Sequence, residues 1–435
     1  MKYLLYIFSL VFLFASCEKT DTSSPNTPSP IPVPTPVSPV IYPALTTTVA
    51  TSISATAATS GGNITSDGGA AVTARGVCWN TSPAPLVSGN VTVNGTGTGS
   101  FASTLGGLSP GTTYFYRAYA TNSAGTSYGN EASFTTASMV SPNVYVAGVV
   151  YPLNNGVATI WKNGIATSLT SGLTNATATG VAVSGNDVYV VGWEVIGADH
   201  VARIWKNGVG VSLSASNTDG RAGSIFIAGN DVYVAGYENV GGFDVARIWK
   251  NGIGSTLIGG NGYAFSCYVS GSDVYAAGRS QPTQFGNRLP TIWKNGVPLY
   301  YNTVDATVKG LFVSGTDIYA TGDSPGGISY WKNGIETNYV GGQGNAVFVA
   351  SNDVYVAGML FTFVGYATLW KNGIPLQLAN SSGGKANSVY VFGSDVYVAG
   401  NEHGTGKARI WKNGIGSTIS QPFVNSEANS IFVTP

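Results

Sequence analysis

Charge, histidine and cysteine are all scarce in this chain of 435 residues, and each scarcity removes a class of function. Lys plus Arg number 20, Asp plus Glu number 20, and charged residues make up only 9% of the whole. A dilute, balanced charge lacks the basic footprint that nucleic-acid binding requires, so no nucleic acid is expected as a partner. The two histidines, His200 and His403, stand near no nucleophile motif, which argues against a Ser-His-Asp centre. The three cysteines, Cys17, Cys78 and Cys267, show no metal-ligand spacing, and no metal or cofactor is expected. Gly404-Thr-Gly-Lys407 lacks both the leading Gly and the Ser or Thr of a phosphate loop.

What is abundant is glycine, 59 residues of it, between short β-branched and aromatic runs. That pattern predicts all-β structure with almost no helix, in two or three domains. From residue 138 to the end three phrases recur in order: Val-Tyr-Val-Ala-Gly, Trp-Lys-Asn-Gly, and a Ser-Ile-Phe-Val-like run. The first is anchored by Tyr145, Tyr189, Tyr233, Tyr275, Tyr319, Tyr355 and Tyr397, and the second by Trp161, Trp205, Trp249, Trp293, Trp331, Trp370 and Trp411. A period of about 42 residues built only from strands and turns is the signature of radial blades.

Each period reads as two hairpins, one turning at Asn-Gly and the other at an Asx residue, Asp187, Asp231, Asp273, Asp317, Asp353 and Asp395, with Asn143 in the first copy. Both tight turns fall on one face, so the longer connections open on the opposite one. The Ser-Ile-Phe-Val strand is expected innermost, because the polar, variable strand suits the exposed outer edge. The last such strand, Ser430–Val433, has no successor. It is expected to complete the first blade, giving residues 138–435 as a closed seven-bladed β-propeller. The recurring Trp are expected to pack between blades, and the Lys beside them, Lys162 through Lys412, to be solvated turn residues.

At the other end, Lys2 precedes an apolar run from Tyr3 to Phe14, which reads as a signal peptide over 1–16. Phe14-Ala-Ser-Cys17 resembles the lipobox of bacterial lipoproteins, with Phe14 where Leu is usual. The resemblance implies lipidation of Cys17, membrane attachment through that lipid only, and residence at the bacterial outer membrane, at the cell surface. Residues 17–40 then form a linker with seven prolines, Pro25, Pro28, Pro30, Pro32, Pro34, Pro36 and Pro39, a stalk of polyproline type spanning roughly 70 Å.

Residues 41–137 alternate like a sandwich. The run Leu108-Ser-Pro-Gly-Thr-Thr-Tyr114-Phe-Tyr-Arg-Ala-Tyr-Ala-Thr-Asn122 resembles the closing strands of a fibronectin type III domain, with Tyr114 as the corner tyrosine. The usual core Trp is missing from 52–61, and Trp79 is expected to fill that space from another strand. Ala74-Arg-Gly-Val-Cys-Trp79 resembles a variant found in surface proteins of the Bacteroidetes type, which implies a spacer or adhesion module. Cys78 and Cys267 fall in different domains and are expected to be buried free thiols.

Function is expected where the repeats differ, on the longer loops. After the Gly that ends the second strand come Trp193, Glu194, Tyr237, Glu238, Asp323, Glu402 and His403, with His200 and Asp244 nearby and Tyr151, Phe361, Phe363 and Tyr366 interleaved. Aromatic faces beside carboxylates suit sugars, one for stacking and the other for hydroxyls. The expectation is a monomeric, non-enzymatic surface lipoprotein that binds a glycan or a protein. The alternatives are a polysaccharide hydrolase or lyase, for which Glu194 and Glu238 are the pair to nominate, and a purely structural surface protein. Cys17→Ser is expected to abolish acyl-chain incorporation and move the chain from membrane to soluble fractions, as fatty-acid labelling would reveal.

Overall fold

The computed structural model describes residues 38–138, 141–282, 287–300, 305–361, 364–378, 383–404, 406–420 and 424–435. The signal segment, Cys17, most of the proline-rich linker and Phe363 lie outside the described residues. The chain divides into two compact units, Met1–Met139 and Val140–Pro435. Among the described residues every regular element is a strand.

In the first unit Ala44–Thr51, Ala57–Ser66 and Gly99–Gly106 form one sheet in that order. The other sheet pairs Asn90–Val91, Ala74–Asn80, Thr113–Asn122 and Gly125–Tyr128, with Ala132–Thr135 also on Thr113–Asn122. Alternate residues of these strands point inward. Trp79 thereby packs among Val77, Leu105, Leu108, Tyr114, Tyr116 and Phe134. The Ser109 amide donates to the Tyr114 hydroxyl at 3.0 Å, the bond expected of a corner tyrosine. Cys78 is a buried free thiol, and burial pushes its pKa up.

In the second unit each repeat is a run of four antiparallel strands. The third repeat has Gly220–Ala228, Asp231–Val240, Phe243–Lys250 and the start of Ile253–Ser270, paired in that order. Asn-Gly works as expected: Asn251 and Gly252 hold φ of 51° and 83°, as a type I′ turn demands. The strand Ile253–Ser270 continues unbroken into the fourth repeat, so the third and fourth share one seven-stranded sheet. The longer connections expected from the repeats are partly strand. The stretch from Tyr237 to Asp244 is not loose: strand pairing runs to Val240 and resumes at Phe243 across Gly241-Gly242, both at positive φ. Asn239 donates to Asp244 at 3.0 Å and accepts from the Gly242 amide at 3.1 Å, which ties the turn.

The Ser-Ile-Phe-Val-like strand forms one edge of its repeat's strand run, and it touches its counterpart in the next repeat. Phe226, Tyr268, Phe312, Phe348, Tyr390 and Phe432 contact one another in succession, with ring centroids 4.5–5.0 Å apart. Nearer the strand starts, Asn345 donates to the Ala386 carbonyl, Asn387 to that of Ala428, Asn429 to that of Ala178 and Thr179 to that of Ala222, all at 2.8–3.0 Å. These strands are therefore the inner ones. The last of them, Asn425–Thr434, pairs with Asn143–Tyr151 and supplies the fourth strand of the first repeat.

Behind the inner strands every Trp of the series packs on the repeat before its own. Trp205 lies with Tyr145 and Ala147, Trp249 with Ala182 and Val191, and Trp161 with Tyr397 and Ala399 of the seventh repeat. Four-stranded units packed face to face about a common centre make this unit a β-propeller. The Gly of Val-Tyr-Val-Ala-Gly is required by the close approach of the inner strand. A Cβ at Gly236 would run into the Arg221 carbonyl and lie 2.8 Å from Trp249 Cζ3. Opposite each such Gly the inner strand carries a β-bulge, as between Ala222 and Ser224. Removing 425–435 is expected to melt the whole second unit in one transition, well below the parent temperature. A truncated chain melting like the parent in calorimetry would contradict this role of the last strand.

Candidate functional site

On the tight-turn face the recurring polar residues hold each other. Lys250 Nζ sits 2.7 Å from Asp231 Oδ2 and 5.4 Å above the Tyr233 ring, while Asn251 donates to Asp231 Oδ1 at 2.8 Å. Six repeats keep this clasp, from Lys206–Asp187 to Lys412–Asp395. In the first, Asn163 donates instead to Asn143 at 3.1 Å. The hydrogen bond from Lys250 and then that from Asn251 hold the Asp231 carboxyl below its usual range. These groups are spent on one another, so this face offers the same local chemistry in six repeats.

The rim acids are also spent, for a reason in the register. Glu238 is buried and accepts from Arg247 at 2.6 and 2.9 Å, across the hairpin from it. Arg203 lies 3.3 Å from Glu194, and Arg409 3.4 Å from Glu402. In the fourth repeat the same two positions carry Ser280 and Thr291, whose buried hydroxyls bond at 2.8 Å. Glu with Arg, or Ser with Thr, is thus a cross-strand pair that satisfies polar atoms between sheets. Asp323 forms an ion pair with Lys309. His403 is exposed, its amide donating to the Gly383 carbonyl at 3.3 Å.

Trp193 and Tyr237, one residue earlier than those glutamates, point the other way. They line a cavity of about 320 Å³ with Arg221, Tyr263, Phe265 and Arg279, at the starts of the inner strands of the second to fourth repeats. Adjoining it, a polar recess of about 210 Å³ shares Tyr263 and Arg279 and adds Asp244, Asn261 and Arg288. Tyr237 and Tyr263 meet edge to face at 4.6 Å, and Tyr263 stacks parallel to Phe265 at 6.0 Å. Arg221 lies 4.9 Å from the Trp193 ring centre and Arg279 4.7 Å from that of Tyr263. Burial holds the Tyr237 phenol well above its usual pKa, so it stays a neutral donor.

Two acids support this cavity from outside. Arg221 Nη2 donates to His200 Nε2 at 3.1 Å, and His200 Nδ1 is 2.7 Å from Asp219. The Tyr263 hydroxyl donates to Asp244. The structure therefore gathers Trp193 and Tyr237 but leaves Glu194, Glu238, Asp323, Glu402 and His403 outside the cavity lining. Sequence reasoning missed Arg221, Tyr263, Phe265 and Arg279. Their signal was present: inner-strand starts differ as much between repeats as the loops do, reading Thr177, Arg221, Tyr263, Thr307, Gln343, Lys385 and Glu427 at one register position.

No family model matches the sequence, and no curated protein matches it. Among solved structures the chain is similar to an acylaminoacyl peptidase of Pyrococcus horikoshii, at 13% identity and a TM-score of 0.36 over 66% of this chain and 53% of that one. It thus spans about half the length of that peptidase. A second likeness is to the β-propeller domain of the trilobed protease from Pyrococcus furiosus, at 11% identity and a TM-score of 0.40, over 71% of this chain and 92% of that one. Likeness at this level transfers no activity.

Glu238→Gln is expected to destabilise the second unit by about 2 kcal/mol, since it leaves the Arg247 guanidinium half-buried beside a neutral amide. Denaturant melts of the variant against the parent measure this; unchanged stability would remove the structural role assigned to the pair.

Proposed function

We propose that the chain is an exported lipoprotein, anchored through Cys17 at the outer membrane. In this reading a fibronectin type III-like sandwich carries a closed seven-bladed β-propeller, and the propeller binds a glycan at the cell surface without transforming it. The observation that carries the binding role is the cavity formed by Trp193, Tyr237, Tyr263 and Phe265 where three repeats meet. Its volume, about 320 Å³, lies at the small end of ligand pockets and suits one or two rings rather than a protein face. Aromatic walls offer stacking surface to the apolar face of a sugar, and the Arg and Tyr donors around them offer hydrogen bonds to its oxygens.

The engagement of the rim acids supports binding over hydrolysis. A glycosidase needs two carboxyls facing each other across a bond, one of them free to give a proton. Glu194 and Glu238, the pair best spaced in sequence for that role, each hold an arginine of their own hairpin instead.

On a glycan array the full chain is expected to retain at least one saccharide class, with Trp193→Ala and Tyr237→Ala each weakening it about tenfold, ~1.4 kcal/mol. A blank array sinks the glycan reading and favours a purely structural surface protein.

A further inference from the structure

The arginines on the strands at the long-connection side of the second to fourth and seventh repeats divide into two kinds. Arg203, Arg247 and Arg409 each pair with a glutamate. Arg221 and Arg279 pair with no carboxylate among the described residues, yet both are half-buried in the walls of the aromatic cavity. Nε of Arg221 has no hydrogen-bond partner among the described residues, but neither has Nε of Arg203 or Arg409, so the missing carboxylate is what sets Arg221 and Arg279 apart. A guanidinium half-removed from water with no carboxylate beside it is unfavourable unless something else accepts from it.

The nearby acids do not fill that need. Asp219 is committed to His200, through the ring at 2.7 Å and through the backbone amide at 3.1 Å. Asp244 is committed to Tyr263 and to Asn239. Their effect is to hold the cavity walls: Asp219 orients His200, whose other ring nitrogen accepts from Arg221 and fixes that guanidinium over Trp193. Arg279 is positioned by the Tyr263 face. Two cations on aromatic supports therefore line one small cavity, with a third, Arg288, in the adjoining recess.

From this arrangement we infer that the cavity takes an anionic sugar, a pyranose bearing a carboxylate, with Trp193 and Tyr237 against the ring and Arg221 and Arg279 donating to the carboxylate. The guanidinium fork matches a planar carboxylate with two parallel N–H donors, which an ammonium does not. A neutral sugar leaves both cations uncompensated. The inference rests on the glycan reading above and narrows it to one class.

The test compares the full chain's affinity, by titration calorimetry, for galacturonate, glucuronate and mannuronate oligosaccharides and for their carboxyl-reduced, neutral counterparts. At least one acidic oligosaccharide is expected to bind ten times or more tighter than its reduced form, with the preference shrinking as salt rises. Arg279→Gln and Arg221→Gln are expected to bring the two forms within about twofold. Arg279→Lys retains charge without the fork and is expected to keep only part of the preference. Thermal melts of each variant check that the fold is intact; a lost preference in a variant that melts like the parent supports the inference. Equal affinity for acidic and reduced forms overturns the anionic assignment while leaving a glycan site standing. Binding of neither form, across uronate and neutral arrays alike, overturns the glycan reading itself.

Discussion

The burial of one indole per repeat against the preceding repeat is the contact on which the second unit depends. Trp161, Trp205, Trp249, Trp293, Trp331, Trp370 and Trp411 are all buried. At roughly 25 cal/mol per Å² and 150–250 Å² per aromatic side chain, each contributes on the order of 4–6 kcal/mol, an upper bound because unfolded chains bury some of that area already. No single repeat can bury its own Trp, since the partners Tyr and Ala lie on the neighbour. The second-strand glycine recurs because a Cβ there would run into a carbonyl of the bulged inner strand in every repeat, and at Gly148, Gly236 and Gly358 it would also crowd the indole edge. The packing carries a cost. Nε1 of Trp161 and of Trp411 finds no acceptor among the described residues, whereas Trp293 donates to the Ile258 carbonyl at 2.6 Å.

That constant framework separates two kinds of polar residue. Lys, Asp, Tyr and Asn on the tight-turn face recur because they close a hairpin on itself, and in six repeats their charges cancel locally. Glu with Arg, or Ser with Thr, recurs between sheets because a buried polar atom needs a partner and either pair supplies one. Both kinds attract notice in a sequence as candidate chemistry. Both are occupied in the structure, and the side chains left to face a ligand are those outside either pattern.

The bulge links the scaffold to the cavity. By inserting one residue opposite each glycine, it sets Thr179, Gly223, Phe265, Lys309, Asn345, Asn387 and Asn429 at equivalent places around the inner strands. Asparagine and threonine there bond the next inner strand and extend the ring of contacts. At Gly223, Phe265 and Lys309 that bond is absent among the described residues, and beside the first two a hole with an aromatic wall lies between the strands. The site thus occupies part of the stretch where the girdle between repeats is interrupted.

Periodicity alone determined a great deal about this protein. Strand order, the type I′ Asn-Gly turns, the inner position of the Ser-Ile-Phe-Val strand, the packing of Trp on a neighbouring repeat and the burial of Cys78 and Cys267 all follow from local pattern and turn chemistry. Burial pushes the Cys267 thiol up to about 12, as befits a packed, inert group. The Glu–Arg pairing was legible too, because Glu194, Glu238 and Glu402 occur only in the repeats whose third strand reads Ala-Arg-Ile-Trp-Lys. Only the tertiary structure decided which residues meet. Trp193, Arg221, Tyr237, Tyr263 and Arg279 come from three successive repeats, and side chains that alternate along each strand separate Trp193 from Glu194 and Tyr237 from Glu238. One-residue alternation is written in any strand, but which side faces a cavity depends on what the neighbouring repeat brings to it.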